Sequence, residues 1–158
     1  ADYAEFVVNE LVPHVVSTYG LKITDKPSGW LAVGYSAGGA AALGLAFHRP
    51  DKFQRVITHD GSFVPVAKRI GDATGSDAYV SGLSAAEPRA LRVTLTSSPN
   101  DIVNEYGNWL EVNCNFARIL DAKGYHYRFT IGDGAHYPPL QAAAVFPDDL
   151  RFVWADYQ

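Results

Sequence analysis

The stretch GWLAVGYSAGGAAALGLAFHRP, residues 29–50, decides how the whole chain reads. Residues 30–35 are short, apolar and bounded by glycine, which predicts a buried strand. Residues 37–48 are rich in alanine and stop before Pro50, which predicts a helix. Gly38, Gly39, Ala41, Ala42 and Gly44 give that helix a face of small residues able to approach a sheet closely. Between strand and helix stands Ser36, and residues 34–38 fit the pattern G-x-S-x-G. A sharp strand-to-helix turn would strain the backbone of Ser36 and expose its side chain at the sheet edge. Glycines on both sides would avoid clashes there, and the N–H of Ala37, at the helix N-terminus, could face a developing oxyanion. The pentapeptide alone is a weak signal; its position between a strand and a helix is the stronger one.

The flanking sequence continues the alternation. Upstream, Ala4, Val8, Leu11, Val12, Val15 and Val16 follow one helical face over residues 3–18. Asp2 is the expected N-cap, with Glu5 completing a capping box. Pro13 cannot donate to the carbonyl of Asn9, so a kink or a restart is expected there. Residues 19–28 read as a loop. Downstream, residues 53–58, 91–96 and 125–131 read as strands, residues 104–123 as a helix closed by Gly124, and Pro147 as the first residue of a final helix. Residues 65–88 have weak periodicity and read as a surface excursion. Strands alternating with helices predict an α/β fold with a mostly parallel sheet, covered on both faces.

Composition narrows the function classes. The chain has 158 residues, enough for one domain. Its 47% hydrophobic and 19% charged residues suit a folded protein, and its net charge of −4 argues against nucleic acid as a partner. No apolar run reaches the roughly 20 residues that a membrane span needs. Cys114 is the only cysteine, so it can form neither an intrachain disulfide nor a thiolate metal site, and it reads as buried filler within a helix. His14, His48, His59 and His126 lack metal-ligand spacing, and no metal or other cofactor is expected. His14 reads as helix surface, His48 as a helix C-terminal residue and His126 as a strand residue. Trp109 and the Tyr125/Tyr127 stripe read as core rather than as a sugar platform.

A serine needs a base to become nucleophilic, and the base needs an acid to orient it. Functional groups in parallel sheets gather beyond the carboxyl ends of the strands. His136 lies beyond residues 125–131 in GDGAH, and Asp101 lies beyond residues 91–96 in SSPND. The order Ser36, Asp101, His136 is that of an α/β-hydrolase. The acid is the open position: Asp101 could simply cap the next helix, and Glu105, Asp60 and Asp133 are alternatives.

With those residues in view, ELVPHV, GYSAGGAAALGLAFHRPDKF, GNW, GYHYRF, GDGAH and PDDLRFVW resemble an esterase family of α/β-hydrolases. That family includes enterochelin, feruloyl and acetyl-xylan esterases. The resemblance covers nearly the whole chain apart from residues 65–88. It implies a three-layer α/β-hydrolase fold and a cofactor-free serine esterase. It also implies Ser36 as nucleophile, His136 as base, Asp101 as acid and Ala37 as one oxyanion donor. The substrate implied is a small-molecule or carbohydrate-linked ester (sugar-linked, aromatic or siderophore), and a secreted or periplasmic location is compatible with it. In this family several strands precede the nucleophile and one of their loops supplies the second oxyanion donor. Here a single helix precedes Trp30, so the chain is expected to be the C-terminal part of a longer domain. Acyl transfer on the same fold and a catalytically silent binding module are the competing readings.

Overall fold

A computed structural model describes residues 2–65, 77–136 and 140–158. Four strands, β1 (Leu31–Tyr35), β2 (Arg55–His59), β3 (Arg92–Ser97) and β6 (His126–Ile131), form one all-parallel sheet in the order β1-β2-β3-β6. The central strand β2 is buried along its whole length. β1 pairs only with β2, and Val33 is 48% exposed, so the strand expected to be buried lies at an edge among the described residues.

Helix α3 (Ala37–His48) connects β1 to β2. Helix α4 (Asp77–Ala85) precedes β3, and α5 (Trp109–Ala122) connects β3 to β6. Right-handed crossovers between successive neighbouring strands put all three helices on one face. Helix α6 (Leu140–Trp154) packs against β2 and β3 on the other face. Consecutive residues of β2 show the two faces: Thr58 lies against Gly39 of α3, whereas His59 bonds Asp149 of α6 at 2.8 Å. A core built around Leu43, Val56, Leu83, Val93, Leu95, Phe116 and Leu120 fills the α3–α5 layer. On the α6 side, Arg55 donates to the Val153 carbonyl and Arg92 to the Phe152 carbonyl, satisfying acceptors that the end of a helix leaves open.

Several local expectations need correction. Asp2 is the first residue of helix α1 (Asp2–Phe6) rather than a cap, and Glu5 instead accepts from Asn9 at 2.7 Å. The restart expected at Pro13 is present, since an α-helix resumes at Val12 with the proline in its first turn. A π-helical turn, Val7–Leu11, carries α1 into α2 (Val12–Tyr19), with Val12 N–H donating to Val7 O five residues back. Widening the turn just before the proline absorbs the donor that Pro13 lacks. Pro147 lies inside α6, not at its start. The buried residues Ala142, Asp149 and Val153 share one stripe that runs past the proline, so packing overrides the local cost of about 3 kcal/mol.

The helix expected from residue 104 begins at Trp109, with Asn108 capping it by accepting from Glu111 N–H at 3.2 Å. The residues before it form a hairpin of β4 (Val103–Asn104) and β5 (Gly107–Asn108). Gly124 closes α5 at φ 70°, as its sequence position suggests. Part of the excursion at 65–88 lies outside the described residues, but Asp77–Ala85 is helical rather than irregular, with Val80 and Leu83 buried. Cys114 is only half-buried.

Candidate active site

Ser36 occupies the single residue between β1 and α3, at φ 54° and ψ −121°. A positive φ on a non-glycine residue costs about 1–3 kcal/mol and persists only where its surroundings fix it. Here the backbone is fixed from both sides: Ser36 N–H donates to His59 O at 2.8 Å, and Ser36 O accepts from Ser62 N–H at 3.0 Å and Gly39 N–H at 3.0 Å. The glycine requirement differs from the symmetrical one expected. A Cβ on Gly34 would lie 1.9 Å from the Gly38 carbonyl oxygen, and one on Gly39 would lie 2.5 Å from Thr58 Oγ1. A Cβ on Gly38 would meet nothing within 4 Å. The first glycine of G-x-S-x-G is sterically required; the second is not.

The loops beyond β3 and β6 are tied together. Gly132 N–H and the Gln141 side chain both donate to Ser97 O, and Asn100 pairs with Ala135 in an isolated parallel bridge. This linkage brings Asp101 to His136. Asp101 Oδ1 lies 2.6 Å from His136 Nδ1, and His136 Nε2 lies 3.0 Å from Ser36 Oγ. Asp101 also accepts from Ile102 N–H at 2.7 Å and from the Ser97 hydroxyl at 3.0 Å. Ser36, Asp101 and His136 therefore meet, while Glu105 and Asp133 are exposed on their loops. The N–H of Ala37 opens α3 and has no acceptor four residues back in the helix.

Asp60 is a different kind of neighbour. It is 3% exposed, follows β2 at φ 48°, and its Oδ1 has no hydrogen-bond partner. Burial pushes its pKa up to about 7, assisted by the charge of Asp101 and a hydrogen bond to it. A carboxyl held as a neutral acid beside Asp101 is the converse of an orienting carboxylate. From about pH 4 to 7 the folded protein retains a proton that the unfolded chain releases, so stability falls as pH rises through that window. Asp60→Asn is expected to remove this slope. Thermal melts at pH 5 and pH 8 should differ by several degrees less in the variant than in the unmodified protein.

Three contributors escaped the sequence reading. Tyr35 donates its hydroxyl to the His136 carbonyl and lays its ring 5.1 Å from the imidazole. Ser62 Oγ is 3.2 Å from Ser36 Oγ. Trp109 is buried as expected, yet it also serves the site: its Nε1–H donates to Ser62 Oγ at 3.0 Å, and its ring stands edge-on to His136 at 6.3 Å. The G-x-W spacing gave no hint of that contact. Among the described residues no group of three or more His, Cys, Asp or Glu could hold a metal ion, and no helix is long and apolar enough to cross a membrane.

A family model described as "Esterase: Putative esterase" matches residues 1–137. The chain belongs to the Esterase family. Solved structures place the fold of this Esterase-family chain among α/β-hydrolases. Enterobactin esterase from Shigella flexneri superposes with a TM-score of 0.74 at 24% identity, over 98% of this chain and 38% of that one. A ferulic acid esterase gives 0.72 at 18% identity, over 95% and 61%. S-formylglutathione hydrolase from Staphylococcus aureus gives 0.63 at 15% identity, over 96% and 64%. The chain thus spans less than two thirds of each, and at these identities the likeness is one of fold. No curated protein matches the chain closely enough to count as a relative.

Proposed function

We propose that the protein is a serine carboxylic-ester hydrolase working through Ser36, His136 and Asp101. The observation carrying this reading is the unbroken line of hydrogen bonds from Ser36 Oγ through the imidazole to Asp101. The carboxylate accepts the Nδ1 proton, which leaves Nε2 as the lone pair facing Ser36. His136 then takes the Ser36 proton as Oγ attacks the ester carbonyl, and returns it to the departing alcohol. Asp101 stabilises the transient imidazolium. The Ala37 N–H, reinforced by the positive end of α3, faces the oxyanion. Water activated by His136 then cleaves the acyl-enzyme.

Family membership and the likeness to enterobactin and ferulic acid esterases support siderophore, aromatic or sugar-linked esters as the substrate class. The test pairs a fluorophosphonate probe with a short-chain 4-nitrophenyl ester. Labelling is expected to map to Ser36, and Ser36→Ala should abolish both labelling and hydrolysis. Hydrolysis that survives Ser36→Ala would sink the proposal.

A further inference from the structure

We infer that the amino-terminal end of the sheet carries a second binding site, a guanidinium-lined cavity that takes a phosphate ion. The site is independent of the hydrolase reading. A cavity of about 220 Å³ opens where β2, β3 and β6 begin, lined by Arg55, Arg89, Arg92, His126 and Asp156 among others. Arg55, Arg92 and His126 are the first residues of their strands and lie side by side in one cross-strand row. Ser36, Asp101 and His136 stand beyond the opposite, carboxyl ends, roughly 16–20 Å away along strands of five or six residues.

Three guanidinium groups share one carboxylate there. Asp156 Oδ1 lies 2.9 Å from Arg55 Nη1, and its Oδ2 lies 3.4 Å from Arg92 Nη1. Among the described residues Asp156 is the one acid lining the cavity, so two positive charges stay uncompensated. Their donors are only partly used. Arg55 gives Nε–H to the Ser28 carbonyl, and Nη1 to the Val153 carbonyl and Asp156. Arg92 gives Nε–H to the Phe152 carbonyl and Nη1 to Asp156, and Arg89 gives Nη1 to the Phe47 carbonyl. In all three the Nη2 group donates to nothing in the chain. Arg55 is 3% exposed, yet its Nη2 is neither bonded nor sealed from solvent, which leaves it open to the cavity that the residue lines. Aromatic rings fix the guanidinium planes without using their hydrogens. Arg55 lies over Trp154 at 4.9 Å, Arg92 over Phe152 at 4.5 Å and Arg89 over Phe47 at 4.6 Å. The free donors are therefore held in place before a ligand arrives.

Asp156 shows the chemistry that the cluster accepts, an oxyanion bridging two guanidiniums. Its pKa is lowered, chiefly by the hydrogen bond from Arg55. The two remaining charges and three open Nη2 groups match a phosphate, which carries about −1.5 to −2 near neutral pH and offers three strong acceptor oxygens. The volume sets the size. It falls below the roughly 300–1,000 Å³ of sites for drug-sized ligands, which favours the free ion.

Melting curves of the whole protein at pH 7.5 over about 0–50 mM sodium phosphate, with sodium chloride holding the ionic strength constant, test the site. Tm is expected to rise by several degrees and to saturate with an apparent Kd of about 1 mM. Arg89→Gln should weaken that Kd about tenfold, since it removes one guanidinium and leaves the α6 contacts of Arg55 and Arg92 in place. Asp156→Asn should act in the opposite sense and tighten it about three- to tenfold, because the competing carboxylate charge is gone. Opposite shifts in the two variants are not what a general loss of structure produces. Asp156, whose side chain is 59% exposed, decides alone if Arg89→Gln does not fold. No phosphate-specific rise in Tm, an Arg89→Gln protein that binds as the unmodified one does, or an Asp156→Asn protein that binds no tighter overturns the site. The melts involve no turnover, so their failure and a failure of Ser36 labelling are told apart.

Discussion

Asp101→Asn is expected to lower kcat on an activated ester by roughly 10²–10⁴-fold while leaving the fold intact. The amide oxygen can still accept from Ile102 N–H and from His136, and its NH₂ can face the Ser97 hydroxyl, which is free to turn and accept. In the proposed mechanism, what disappears is the negative charge that stabilises the imidazolium at the moment Ser36 gives up its proton. The loss should fall mainly on kcat, since the charge matters in the transition state and not in ester binding. Glu105→Gln and Asp133→Asn serve as the comparison and should stay within about threefold, because both carboxylates sit exposed in loops. A large loss in either, with Asp101→Asn nearly unaffected, would move the acid to that residue.

Gly34→Ala is expected to prevent folding, whereas Gly38→Ala should fold and gain about 0.5–1 kcal/mol. The new methyl at 34 would sit 1.9 Å from the Gly38 carbonyl oxygen and 2.1 Å from its carbon, both backbone atoms. Neither can move without dragging the first turn of α3 away from β1. Gly38 has open space where a Cβ would go and stands within a helix, where glycine's excess freedom in the unfolded chain is a cost. Urea denaturation of both variants provides the check. A well-folded Gly34→Ala protein would contradict the close approach of α3 to β1.

The contrast between those glycines shows how far sequence could reach. Strand–helix alternation and the apolar run at residues 30–35 announced a parallel sheet, because periodicity follows directly from which faces are buried. Ser36 and His136 stood out as candidates for the same reason: each follows a recognisable strand. The candidate acid did not. Asp60 and Asp101 both lie past strand ends, and only their surroundings separate a neutral buried acid from a carboxylate bonded to imidazole. Ser62 and Trp109 are 47 positions apart, so their contact exists only after α5 docks. The two prolines differ. Pro13 falls in the first turn of α2, where the helix restarts after a π-turn, whereas Pro147 was read as a helix start and a buried stripe carries α6 past it.

The edge position of β1 has a consequence for how Ser36 is suspended. Along a strand the backbone amides point alternately to either side, and Ser36 N–H points inward to His59. Gly34 shares that inward sense, while Val33 and Tyr35 turn theirs toward the outer edge. The carbonyl of Ser36 is likewise gripped from within, by Ser62 and the first turn of α3. Ser36 therefore hangs from the interior like a cantilever, its backbone held on the β2 side.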